Sequence, residues 1–170
     1  MKVEYTRYTS CEIERIKKAA KSFEISISQK KLFEISDKIY LFNGIKKDNI
    51  IKITKNVKFK RYRKGDIVVQ EGESGKEIYF VLYGSCAVVS QGKVFATIKS
   101  GYMFGEMAFL TGNLRSATVI IHKEGTTLLS FEIDEEKLTQ KYALAFAMLY
   151  KNIALDLAHK LKKSNIKRIK

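Results

Sequence analysis

Between residues 57 and 131 the chain alternates short apolar runs with glycine. β-Branched and aromatic residues cluster at 57–62, 67–70, 78–83, 87–90, 94–98, 117–122 and 126–131. Gly65, Gly72, Gly75, Gly84, Gly92, Gly101, Gly112 and Gly125 punctuate these runs. Glycine reaches the positive-φ conformations that tight turns between strands require. Many short strands at this spacing predict a sandwich, barrel or jelly roll. On both sides of this region the apolar period lengthens to that of a helix. Thr9-Ser10-Cys11-Glu12 has the form of a capping box, in which the N-cap hydroxyl and the following acid satisfy free amides of the first turn. Ile13, Ile16 and Ala20 then recur at helical spacing. A second helix is expected from Ser26, with Leu32, Ile35, Ile39 and Tyr40 on one side, and a short third over 48–55. After Phe131, Asp134 stands as an N-cap before Glu135, and a long helix is expected over 143–163. In that helix Ala147, Tyr150, Ala154, Leu157 and Leu161 follow an alternating three-four spacing that suits a two-helix seam. Leu149 and Ile153 of the same helix could pack on its own domain, so both uses stay open.

With 170 residues and 45% hydrophobic content, the chain fits one domain with extensions and can bury a real core. No apolar run approaches the ~18 residues that span a bilayer. The first residues carry charges where a signal peptide needs an apolar stretch, so a cytoplasmic protein is expected. Cys11 and Cys86 are the only cysteines and have no metal-ligand spacing, and reduced thiols are expected. The net charge of +14 is unevenly spread: +6 over residues 1–56, +1 over 57–140 and +7 over 141–170. Basic flanks of this kind bind nucleic acid, an anionic membrane or an acidic partner. The plainer reading is a solvated, Lys-rich helix surface.

Candidate chemistry is concentrated in Phe104-Gly105-Glu106-Met107-Ala108-Phe109-Leu110-Thr111-Gly112-Asn113-Leu114-Arg115-Ser116-Ala117-Thr118. A glycine precedes a short apolar helix whose first amides face outward, and such amides attract phosphate. Glu106 stands at that start, where an acid deters an anion, which suggests that it meets a hydroxyl. Arg115 follows nine residues later and offers paired donors to a phosphate. An acid for a sugar hydroxyl, an arginine for a phosphate and amides between them describe a ribose-phosphate site. The competing reading is a surface loop with an Arg–Glu ion pair.

The same stretch resembles the phosphate-binding cassette of cyclic nucleotide-binding domains, with Phe104-Gly105-Glu106-Met107-Ala108 and Arg115-Ser116-Ala117 at the family's separation. Lys64-Gly65-Asp66-Ile67, Glu71-Gly72-Glu73 and Tyr79-Phe80-Val81-Leu82-Tyr83-Gly84 are similar to the family's glycine-marked strands. Gly84-Ser85-Cys86-Ala87-Val88 resembles a strand in the sensor domain of bacterial catabolite activator and FNR-type regulators. Leu114 departs from the family's usual proline. The resemblance covers roughly residues 41–165. It implies an α+β fold, mainly a β jelly-roll (double-stranded β-helix). The expected division is an N-terminal helical extension over 1–40, the roll over 41–142, and a C-terminal helix with a basic tail over 143–170. Glu106 is implied to take the ribose 2′-hydroxyl. Gly105, Ser116 and Ala117 would supply donors near the cyclic phosphate, and Arg115 would pair with it. Met107 and Ala108 belong to the same cassette. Val88 and Phe95 would line the base pocket, and Ser164 and Asn165 would stand late on the long helix against adenine. The implied ligand is cAMP, with cGMP possible, and no cofactor or metal is expected.

A metal-dependent enzyme on the same roll would need clustered ligands, and the only histidines, His122 and His159, fall on different elements. No nucleophile–base pair stands out either, so a non-enzymatic sensor acting through a partner protein or a homodimer is expected. A compact transcription regulator and a degenerate roll kept for docking are the alternatives. Sequence-specific DNA binding is not expected, because residues 164–170 are too short to present a rigid reading element to base edges.

Overall fold

The structure, a computed structural model, describes residues 29–168. The helix expected from Thr9, Cys11 and the last two residues lie outside them. The described elements are α1 (Gln29–Ile35), 3-10 turns at Ser36–Lys38 and Tyr40–Phe42, α2 (Lys47–Ile53), β1 (Thr54–Arg61), β2 (Ile67–Val69), β3 (Ile78–Tyr83), β4 (Ser85–Ser90), β5 (Lys93–Lys99), β6 (Met103–Phe104), α3 (Glu106–Thr111), β7 (Thr118–Ile121), β8 (Thr127–Ile133), 3-10 turns at Glu135–Lys137 and Gln140–Tyr142, and α4 (Ala143–Arg168). Two four-stranded antiparallel sheets, ordered β1-β8-β3-β6 and β2-β7-β4-β5, form the expected roll. β6 went unread because two residues carry no detectable period.

Two apolar cores share the first sheet. Ile78, Phe80 and Leu82 of β3, with Leu129, Phe131 and Ile133 of β8, face a helical layer made by Leu32, Leu41, Phe42, Ile50, Ile53, Phe146, Leu149 and Ile153. The intervening Val81 and Leu128 face the second sheet, where Val69, Cys86, Val119 and Ile121 complete the other core with Phe104 of β6. Side chains alternate along a strand, so a strand sandwiched between two cores reads as a continuous apolar run. That accounts for Ile78–Tyr83.

α4 lays Phe146, Leu149 and Ile153 on the first core at helical spacing, and Asn152 beside them donates to the carbonyls of Leu41 and Asn43 at 2.9 and 2.8 Å. The expected seam is split by this docking. Tyr150 and Leu157 pack against the protein's own core, whereas Ala147, Ala154 and Leu161 are exposed. Asp134 does not cap a helix. A 3-10 turn follows it, its side chain makes no capping bond, and its carboxylate lies 3.5 Å from the Lys55 ammonium. No helix among the described residues is long and apolar enough to cross a membrane.

Burial in the inter-sheet core pushes the Cys86 thiol up from 9.0 to about 12. Below pH 9.0 the thiol is protonated in both folded and unfolded chains. Above it only the unfolded chain ionises, so stability must fall between pH 9 and about 12. Burial also raises the phenols of Tyr62 and Tyr79 from 10.0. Urea unfolding across alkaline pH should therefore show wild-type stability declining from pH 9, and Cys86→Ala should move the onset up to about pH 10, where the tyrosines begin.

Candidate functional site

The cassette begins where β6 ends. Gly105 has φ +88°, a left-handed conformation that turns the chain out of the sheet and into α3. A β-carbon there would lie 2.7 Å from the Glu77 carbonyl oxygen and 2.8 Å from an Arg115 nitrogen. α3 is closed by Gly112, also left-handed, whose N–H donates to the Ala108 carbonyl at 3.0 Å. The chain then runs without regular structure to Arg115. There it is held by two backbone bonds to the Glu71-Gly72-Glu73 turn: Arg115 N–H to Glu73 O at 2.8 Å, and Gly72 N–H to Arg115 O at 2.9 Å.

The two charged residues singled out in the sequence are both buried, with Glu106 3% and Arg115 6% exposed. They do not pair with each other. The Arg115 guanidinium donates to Gly105 O at 3.1 Å and to Glu77 O and Oε2 at 3.0 and 3.2 Å, and it sits 5.9 Å above the Tyr79 ring. Tyr79 in turn stacks on Phe104 at 4.9 Å. Glu106 Oε1 accepts from the Lys160 ammonium of α4 at 2.7 Å. The buried arginine thus donates to the Gly105 carbonyl, and the buried acid is the next residue, at the start of α3. Ala108 is buried in that turn, Met107 is exposed, Ser116 is exposed and Ala117 half-buried.

A model of the cyclic nucleotide-binding domain matches residues 59–142. Those residues belong to the cyclic nucleotide-binding domain family. The cyclic nucleotide-gated channel beta-3 of Mus musculus is 30% identical over 145 residues, covering 82% of this chain and 21% of the channel. The chain spans about a fifth or less of the channel relatives it matches. Among solved structures, the Thermus thermophilus catabolite activator protein superposes with a TM-score of 0.56 at 24% identity, over 75% of this chain and 61% of that one. The regulatory domain of Toxoplasma gondii PKA, in co-crystal with cAMP, superposes with a TM-score of 0.59 at 18% identity, over 77% and 50% of the two chains. These likenesses establish the shared fold.

The remaining sequence-derived residues lie on other elements. Val88 is half-buried on β4 and pairs with Ala96, which places Phe95 next to it on β5, with its ring 65% exposed. Ser164 and Asn165 lie in the last turns of α4, and Asn165 is exposed. Three residues at the cassette were missed: Glu77 on Arg115, and Lys160 and Asp156 on α4. Glu77 had a faint signal, an acid directly before a buried strand. Lys160 lay in a basic run whose other members gave it no distinction. Among the described residues no group of three or more His, Cys, Asp or Glu side chains could hold a metal ion.

Gly105 is the tightest point of the cassette and provides a test. Gly105→Ala should lose about 1–3 kcal/mol from its backbone conformation alone, with the contacts to Glu77 and Arg115 adding to that. Gly92 also has positive φ, +73°, but open space around it. Urea unfolding should therefore show Gly105→Ala clearly less stable than Gly92→Ala.

Proposed function

We propose that the chain is a cyclic nucleotide sensor, with cAMP as its ligand, whose occupancy is passed to a partner protein or a second copy through α4. The burial of both Glu106 and Arg115 at Gly105 is the observation that carries this reading. An acid suited to a sugar hydroxyl and a guanidinium suited to a phosphate are held rigidly around the first turn of α3. The choice of cAMP rests on the Arg115-Ser116-Ala117 form, which resembles cAMP-binding bacterial domains, and on the cAMP co-crystal of the Toxoplasma relative. In this reading Arg115 meets the cyclic phosphate beside Gly105, Ser116 and Ala117, and Glu106 accepts the ribose 2′-hydroxyl. Met107 and Ala108 shape the turn. Val88 and Phe95 face the base, with Ser164 and Asn165 beyond it.

A specific observation supports the alternative of a roll kept only for docking. Arg115 and Glu106 are each satisfied by protein partners, so their retention has a structural reason independent of any ligand. Calorimetry with cAMP, cGMP and 5′-AMP separates the two readings. A sensor binds cAMP well above 5′-AMP, whereas equal affinity overturns the proposal and leaves the docking module.

Removing a charged partner from a desolvated phosphate costs about 2–5 kcal/mol. Arg115→Ala should accordingly weaken cAMP binding by about a hundredfold or more. Arg115→Lys, which keeps the charge, should still bind more weakly than wild type because the paired donors are lost. Glu106→Gln should retain some binding, and 2′-deoxy-cAMP should bind wild type poorly. Equal binding of cAMP and its 2′-deoxy analogue would assign Glu106 another role.

A further inference from the structure

α4 turns three polar side chains inward. Asn152 is accounted for by the turn it holds. Asp156 and Lys160 continue the stripe of Phe146, Leu149 and Ile153 beyond the apolar core and reach the cassette. The Lys160 ammonium donates to Glu106 Oε1 at 2.7 Å and to Met103 O at 2.9 Å, and it forms an ion pair with Asp156 Oδ2 at 2.7 Å. The Asp156 side chain is 1% exposed and neither of its oxygens has a hydrogen-bond partner, so the Lys160 charge is what meets it, while the Glu106 side chain is 4% exposed. Two buried carboxylates thus share one cation. Burial works against the charge on Lys160, but Glu106 and then Asp156 outweigh it and raise its pKa. An unpaired buried carboxylate is costly, so this contact ties α4 to β6 and α3 through the acid assigned above to the sugar.

We infer that Lys160 is a positioning residue for ribose recognition, holding the Glu106 carboxylate in place to accept a sugar hydroxyl and thereby joining the docking of α4 to the binding of the sugar. The inference rests on the proposed reading of the site as a cyclic nucleotide site. A carboxylate has about four acceptor positions, so Oε1 can serve Lys160 while the group still accepts a hydroxyl. With α4 undocked, Glu106 loses its cation, and a sugar hydroxyl must then compete with the water that replaces it. The docked helix therefore favours the sugar. By linkage the sugar favours the docked helix to the same degree.

The test pairs the protein with the ligand. Wild type, Lys160→Gln and Lys160→Arg are titrated calorimetrically with cAMP and with 2′-deoxy-cAMP. Lys160→Gln should weaken cAMP binding about tenfold, the effect of one charge-assisted hydrogen bond, and leave the 2′-deoxy analogue nearly unchanged. The preference for the ribose hydroxyl then collapses, and Lys160→Arg restores part of it. In wild type, saturating cAMP should slow amide hydrogen exchange over residues 143–168 more than saturating 2′-deoxy-cAMP does. This second measurement decides the matter even if Lys160→Gln does not fold. Equal weakening of both ligands by Lys160→Gln, no weakening of either, or equal protection of the helix by both, overturns the inference. Wild type that fails to prefer cAMP over 5′-AMP overturns the reading of the site, and the role of Lys160 with it. A preference for cAMP with an unchanged hydroxyl discrimination in Lys160→Gln overturns the role of Lys160 alone.

Discussion

A guanidinium can be taken out of water only if its donors and its charge are met, and Arg115 is met from three directions at once. The Gly105 carbonyl, the Glu77 carbonyl and carboxylate, and the face of Tyr79 surround it. Each of these partners constrains something else. Gly105 must lack a side chain, because a β-carbon would collide with both Glu77 and Arg115. Tyr79 must stack on Phe104, which sets β6 beside the start of β3. The Glu71-Gly72-Glu73 turn must come close enough to bond the Arg115 backbone. The conformation of the cassette thus follows from where one cation is buried.

The second constraint is the shared first sheet. β3 and β8 supply side chains to two cores, one against the helices and one against the other sheet. A helix docked on the first core is therefore mechanically continuous with the strand that carries Tyr79 and begins next to Glu77. α4 reaches the cassette a second time, through Lys160 on Glu106 and Met103. The chain consequently has two routes between its long helix and the cassette: an apolar one through the sheet and a polar one through the Lys160 ion cluster.

Much of the candidate site was legible because its demands are local. The left-handed turn at Gly105, the short helix and the arginine nine residues beyond the acid lie in one contiguous stretch. Which charges that acid and arginine meet was not legible, because spacing in sequence says nothing about which of several opposite charges a folded chain brings near. Arg115 found Glu77, thirty-eight residues away, and Glu106 found Lys160, fifty-four residues away. How the a/d-like spacing of α4 is shared was not legible for a related reason. Tyr150 and Leu157 satisfy a heptad pattern as well as they satisfy a flank of the protein's own core, and the core was the nearer apolar surface.

The sequence by itself determined the alternation of strands and turns, the helical flanks, and the placement of an acid and an arginine around a glycine, because period, turn chemistry and steric demand act between neighbours. Tertiary structure alone decided which charges pair, that Asp134 faces Lys55 instead of capping a helix, and that Asp156 and Lys160 continue the buried stripe of α4. A fully exposed lysine and one held half-buried by carboxylates look the same in a basic run. Only packing takes water from the carboxylates of Glu106 and Asp156, and that loss makes their shared cation decisive.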